Sequence, residues 1–373
     1  MIAFYVFCCG ASVSRGAAKV LQPATAADDS SYGPYTVAHG TLACDGVPTP
    51  QPNTDEHGKI LDVFYPSEAT GELFPVVTYT HGAGKAFTSA GTPIYSSMWH
   101  LFASWGFVVL ASRACYSSTF NNGSLELAPF SALNCAAQPT TPLPKSPCVQ
   151  KCFGRFYELH YDMIHCSRTA LAASKFPIDA EAGVIVAGHS MGAEAALFAA
   201  AFARPEYHIS AAAIQHYCTS GGDHDLNVLS GPLYQMYQPP VPRVPTILFT
   251  GTQDAEITIR TSTNFESGDA HANETINIFT RAATSGLPRG LVNKLNATHE
   301  EPLEGSFNPR LGYYSVAWSK LYQNFSGRPR PPAMLTASVD WDALIFGRGS
   351  AAVCAGGDGA LTECVMDRGS AQE

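Results

Sequence analysis

Gly183-Val184-Ile185-Val186-Ala187-Gly188-His189-Ser190-Met191-Gly192, continued by the alanine-rich run Ala193 to Ala203, is the stretch on which the reading of this chain turns. An apolar run, a tight Gly-x-Ser-x-Gly turn and a helix-forming segment predict a strand, a sharp corner and a helix with Ser190 at the apex. That is the geometry of a nucleophile elbow. A serine hydroxyl is a weak nucleophile, so it must stand clear of the backbone, meet a base and leave a main-chain N–H facing the substrate oxygen. Small residues two before and two after the serine let strand and helix approach closely. The five-residue pattern also recurs by chance, so its companions decide the matter.

An elbow of this kind is followed, in chain order, by an acid and then a histidine, each just past a strand. Pro245 to Thr250 reads as a strand, and Gly251-Thr252-Gln253-Asp254 follows it, which makes Asp254 the candidate acid at a carboxyl-terminal sheet edge. The plainer alternative is an Asp that caps the next helix. Gly290 to Leu295 reads as another strand, and Asn296-Ala297-Thr298-His299 places His299 on the loop behind it as the candidate general base. Twelve histidines compete for that role. His216 precedes the acid, His224 sits in a glycine-rich loop, and His271 falls in a polar, helix-like stretch. His189, beside the serine, is expected on the substrate side of the elbow.

The oxyanion hole is expected from the residue after the serine and from a loop behind an early strand. Phe74 to Thr80 ends in His81-Gly82-Ala83-Gly84, so the main-chain N–H groups of Ala83 and Met191 are the candidate donors. Without the elbow, His81-Gly82 would read as a plain strand-ending turn.

Five separated segments carry a family resemblance: Asp62-Val63-Phe64-Tyr65-Pro66, His81-Gly82, Gly188 to Gly192, Leu295 to His299 with Pro302, and Gly312-Tyr313-Tyr314-Ser315-Val316-Ala317-Trp318. Together they resemble the bacterial-type cutinases and polyester hydrolases of the α/β-hydrolase superfamily, over about Tyr35 to Cys364. More distantly, the Tyr-Pro and His-Gly-x-Gly features are similar to the platelet-activating-factor acetylhydrolases. The resemblance implies a mostly parallel sheet with helices on both faces, a Ser190-His299-Asp254 triad, no cofactor and no metal. It also implies a disulfide between Cys354 and Cys364, and a substrate-lining role for Tyr217, where the family places a tryptophan and where a core tyrosine is the alternative. Ala83 stands where the polyester-cleaving members carry an aromatic residue, so half of an aromatic clamp is missing. Insertions near 117–151 and 219–243 lack a family counterpart.

The chain of 373 residues is 46% hydrophobic and only 14% charged, which suits one elaborated α/β domain over 28–373. A formal net charge of -9 with no Lys/Arg cluster argues against nucleic acid or an anionic membrane as partner and leaves a neutral small or polymeric ester open. A monomer is expected. Ile2 to Val13 is an uncharged apolar run that reads as the core of a secretion signal within 1–27, or as a disordered start; it is too short to span a bilayer. Setting Cys8 and Cys9 aside leaves an odd number of the eleven cysteines, so one thiol at least has no partner within the chain. Cys148 and Cys152 have ligand-like spacing without a matching pair nearby. Asn122, Asn273, Asn296 and Asn324 each open an N-x-Ser/Thr sequon.

The function this predicts is a secreted serine carboxylic-ester hydrolase, cutinase-like or esterase/lipase-like. A phospholipid esterase and a non-catalytic binding protein on the same fold are the alternatives.

Overall fold

The structure is a computed structural model that describes residues 32–44, 60–68, 71–82, 93–112, 158–169, 176–217, 240–254, 270–324, 339–347, 353–354 and 361–370. The 1–27 segment, the 117–151 insertion, most of the second insertion and Ala83 lie outside these residues.

Nine strands form one sheet in the order β1-β2-β4-β3-β5-β6-β7-β8-β9. They are β1 (Val37–Ala43), β2 (Ile60–Pro66), β3 (Val76–Thr80), β4 (Val108–Ser112), β5 (Val184–His189), β6 (Ile209–Gln215), β7 (Thr246–Gln253), β8 (Arg289–Thr298) and β9 (Leu361–Asp367). Strands β3 to β8 pair in parallel, whereas β1 with β2, β2 with β4, and β8 with β9 are antiparallel. This is the mostly parallel sheet with helices on both faces that the resemblance implies. The runs in β3, β4, β5 and β6 are buried along their whole length, as parallel strands covered on both faces must be.

Alternate residues of each strand feed two separate hydrophobic clusters, one on each face. Val77, Tyr79, Ile185, Ala187, Ala213, Ile247 and Phe249 pack with helices α1 (Ser96–Ser104), α5 (Pro309–Tyr322) and α6 (Trp341–Phe346). Val76, Val184, Val186, Ala212, Ile214 and Leu248 face α2 (Glu158–Thr169), α3 (Met191–Ala201) and α4 (Ala270–Ala282). The α3 sequence is apolar nearly all round, which fits a helix enclosed by the sheet and α2. In α5, Pro309 takes the first turn and the Asn308 side chain accepts from the Arg310 N–H, a capped start. A Cβ on Gly312 would lie 2.3 Å from Leu101 Cδ2, so glycine sets the α1–α5 approach.

One boundary differs from the sequence reading. The strand expected over Gly290–Leu295 extends to Thr298, because its second half pairs across a register shift with the end of β7. The antiparallel edge strands β1 and β9 are not among the strands read from the sequence. Disulfides join Cys354 to Cys364 and Cys44 to Cys166, the second pinning the end of β1 to α2. No helix among the described residues is long and apolar enough to cross a membrane.

Candidate active site

Ser190 occupies the corner between β5 and α3 with φ 57° and ψ -124°, a left-handed conformation that a non-glycine residue holds only under constraint. The constraint is steric and close. A Cβ on Gly188 would fall 2.2 Å from the Gly192 oxygen, and one on Gly192 would fall 2.1 Å from the Thr80 oxygen. Below the corner, the Ser190 N–H donates to the Gln215 carbonyl at 3.1 Å, and Thr80 Oγ1 donates to the Gly192 oxygen at 2.8 Å. Buried His160 bridges Thr78 and Thr80 at 2.7 and 2.9 Å, and desolvation pushes its pKa down to about 3, so it acts as a neutral strut.

Asp254 and His299 meet because β7 and β8 close on one another beyond Gly251. A Cβ there would lie 2.2 Å from the Ala297 oxygen, and the pairing resumes at Gln253 opposite Thr298. His299 Nδ1 donates to Asp254 Oδ1 at 2.6 Å, since a carboxylate oxygen only accepts. Asp254 is fully buried, while Ser190 and His299 are 6% and 7% exposed. The carboxylate is satisfied on its other oxygen as well. His216 Nδ1 donates to Asp254 Oδ2 at 2.8 Å, with Thr250 Oγ1 at 3.4 Å. Burial would raise the Asp254 pKa, but His216 and His299 together hold it well below the usual carboxylate range.

His216 leads onward to Glu301, whose Oε2 lies 3.5 Å from its Nε2. Glu301 Oε1 accepts from Lys294 Nζ at 3.0 Å and from Asn308 Nδ2 at 2.9 Å. Burial alone would lower the His216 pKa, but Asp254 and Glu301 outweigh it and push the value up to about 9. Chain order sets His216 aside as base; the fold places it beside the acid instead, on the carboxylate oxygen that His299 leaves.

His189 is committed on both nitrogens. Its Nε2 donates to the His299 carbonyl at 2.7 Å, so Nδ1 accepts from the Tyr95 hydroxyl at 2.8 Å, and the Tyr95 oxygen accepts from the Gly82 N–H at 2.9 Å. Burial first, then the neighbouring histidines, hold the His189 pKa well below its ordinary value, consistent with this neutral arrangement. The expected substrate-side role of His189 therefore finds no free ring nitrogen; the residue ties the elbow to the loops on either side. Neither Tyr95 nor this tie is legible in sequence, because the two tyrosine partners lie 13 and 94 residues away.

The other expected residues fall as follows. Met191 is the first residue of α3, where a backbone N–H has no intrahelical acceptor and can face an anion. The Gly82 N–H is spent on Tyr95, and Ala83, next in the chain, lies outside the described residues. Tyr217 is 1% exposed and packs in the α2/α3/α4 cluster with Val244 and Leu248, which matches the core alternative rather than a cleft-lining residue. His271 lies in the first turn of α4, and His224 is outside the described residues. His216, Asp254 and His299 offer ligand atoms within 4.8 Å of one another. Both imidazole Nδ1 atoms are already hydrogen-bonded to the carboxylate, so hydrogen bonding accounts for the cluster.

No protein-family model matches the chain, and no curated protein matches it.

Proposed function

We propose that the chain is a serine carboxylic-ester hydrolase of the α/β-hydrolase type, cutinase-like or esterase/lipase-like. The observation that carries the reading is the 2.6 Å hydrogen bond from His299 Nδ1 to buried Asp254, on a loop that is itself bonded to the residue preceding strained Ser190. Strand order, with an antiparallel β2 beside a parallel β3-to-β8 block, and the elbow at the carboxyl end of β5 support the fold assignment.

In this reading Ser190 Oγ attacks the ester carbonyl carbon while His299 Nε2 takes its proton. The carbonyl oxygen gains the negative charge and is held by the N–H groups of Met191 and Ala83. Collapse breaks the acyl–oxygen bond, and the departing alkoxide takes the proton from His299. Water then attacks the acyl-enzyme with His299 again as base, releasing the acid and restoring Ser190. Asp254 keeps His299 in the tautomer whose Nε2 accepts. All groups in this sequence belong to the chain.

The small Ala83 and the two insertions without a family counterpart favour aliphatic acyl groups over aromatic polyesters. The two disulfides support secretion.

The test is hydrolysis of p-nitrophenyl esters from acetyl to palmitoyl by the folded protein, with Ser190→Ala beside it. Activity that needs Ser190, with a short- or medium-chain optimum, is expected. Turnover that persists in Ser190→Ala removes the triad. A folded but silent wild type across the series points to the binding-protein alternative.

A further inference from the structure

Asp254 has two imidazoles on it, and the mechanism above uses one. The second, His216, is fully buried, and its backbone N–H is anchored to the Phe249 oxygen at 2.9 Å. Its Nδ1 must donate, because Asp254 Oδ2 only accepts. Its Nε2 then faces Glu301 Oε2 at 3.5 Å. A neutral imidazole protonated on Nδ1 would turn a lone pair toward that carboxylate. A ring protonated on both nitrogens turns an N–H toward it instead.

The charges around the ring agree. Asp254 at the end of β7 and Glu301 after β8 face it directly, and Lys294 on β8 reaches it only through Glu301. His299 and His189 also border the ring, with centroids 6.0 and 6.1 Å away, and His189 is neutral by its hydrogen bonds. Among the described residues, two carboxylates and one partly exposed ammonium leave a deficit of one positive charge, which an imidazolium at His216 cancels. An uncancelled buried charge would be strongly disfavoured.

We propose that His216 is a positioning residue carrying a resident positive charge, which holds Asp254 oriented toward His299. This rests on the serine-hydrolase reading. The Asp254 carboxylate, held on both oxygens, cannot rotate away from His299.

The variant that separates charge from hydrogen bonding is His216→Asn. The residue sits at φ 49°, a conformation that asparagine tolerates well, and the Asn amide can replace Nδ1 as donor to Asp254. The expected result is a folded protein that keeps the hydrogen bond to Asp254 and loses most of the wild-type fall in stability between pH 7 and 9. A merely structural role would lower stability by the same amount at both pH values. Independently, ¹⁵N-resolved imidazole spectra of the full chain at pH 7 should show both His216 nitrogens protonated, and Glu301→Gln should move its deprotonation to lower pH. A fall in stability from pH 7 to 9 as steep in His216→Asn as in wild type, or a singly protonated His216 at pH 7, overturns the proposal. Failure of the hydrolase reading looks different: wild type would be inactive on every ester, and the spectra and the stability profile would still decide the charge on His216.

Discussion

His189 Nε2 donates to the main-chain oxygen of His299 at 2.7 Å, so the residue before the serine holds the loop that carries His299. Because His189 also accepts from Tyr95, and Tyr95 accepts from the Gly82 N–H, one buried chain of hydrogen bonds spans the strand end before Ala83, the elbow and the His299 loop. The direction of every proton in it is set by the His299 carbonyl, which can only accept.

Tyr95→Phe breaks that chain at its centre and leaves the Gly82 N–H and His189 Nδ1 without partners in a buried site. Each unsatisfied group costs about 1–3 kcal/mol, so the denaturant midpoint should fall. Loosened loops should also lower kcat by about ten- to a hundredfold with a smaller change in KM. A variant with wild-type kcat would show that the chain has no part in positioning.

The strain at Ser190 is open to measurement without any substrate. Alanine keeps a Cβ at φ 57°, whereas glycine occupies that region freely. Against the usual entropic cost of glycine, relief of strain should leave Ser190→Gly more stable than Ser190→Ala by about 1 kcal/mol in urea unfolding. Equal stability, or the reverse order, would mean that the corner stores no strain.

Stability should fall on the alkaline side of neutrality. The folded-state pKa of His216, about 9, lies above its ordinary 6.5, so its ion pairs contribute stability that is complete below 6.5 and lost as pH rises through 9. The effect is on the order of 3 kcal/mol at most. Asp254 works in the opposite sense: its lowered pKa contributes above its ordinary 3.8 and is lost on acidification. Calorimetric Tm should therefore be highest in mildly acidic buffer and decline from pH 7 to 9, with a flatter alkaline side in His216→Asn. A Tm that rises over that range would contradict the assignment.

The two disulfides close loops of very different size, with sequence separations of 122 for Cys44–Cys166 and 10 for Cys354–Cys364. In the chain-entropy picture the longer loop contributes more, by about 2 kcal/mol. Paired Cys→Ala replacement of Cys44 and Cys166 should thus lower the unfolding free energy by more than the same change at Cys354 and Cys364. The opposite ranking in urea titrations would show that local packing, not loop closure, dominates.

The elbow was legible in sequence because its requirements are local. A strand-to-helix corner with a side chain at the apex leaves no room for a Cβ at Gly188 or Gly192, so glycine must appear at fixed offsets. The buried parallel strands were legible for a similar reason, since a strand covered on both faces has to be apolar throughout. Asp254 and His299 could be nominated from chain order, each at the end of its strand, and the fold brings them into contact. Tyr217 shows the limit of this reasoning. The family resemblance implied a cleft-lining role with a core tyrosine as the alternative; side-chain direction just past β6 turns on tertiary packing, and the ring lies in the core.

The sequence by itself determined the class of the sheet, the corner that carries Ser190 and the strand ends that carry Asp254 and His299, because periodicity and steric exclusion act over a few neighbouring residues. Only the tertiary structure decided that His216 shares Asp254 with His299, and that Tyr95 and His189 tie the surrounding loops together. Those contacts join residues 13 to 110 positions apart, and no local pattern encodes which buried donors and acceptors will meet once the strands align. Which buried polar groups find one another is decided by contacts across the fold, and there His216 acquires Asp254 as a partner.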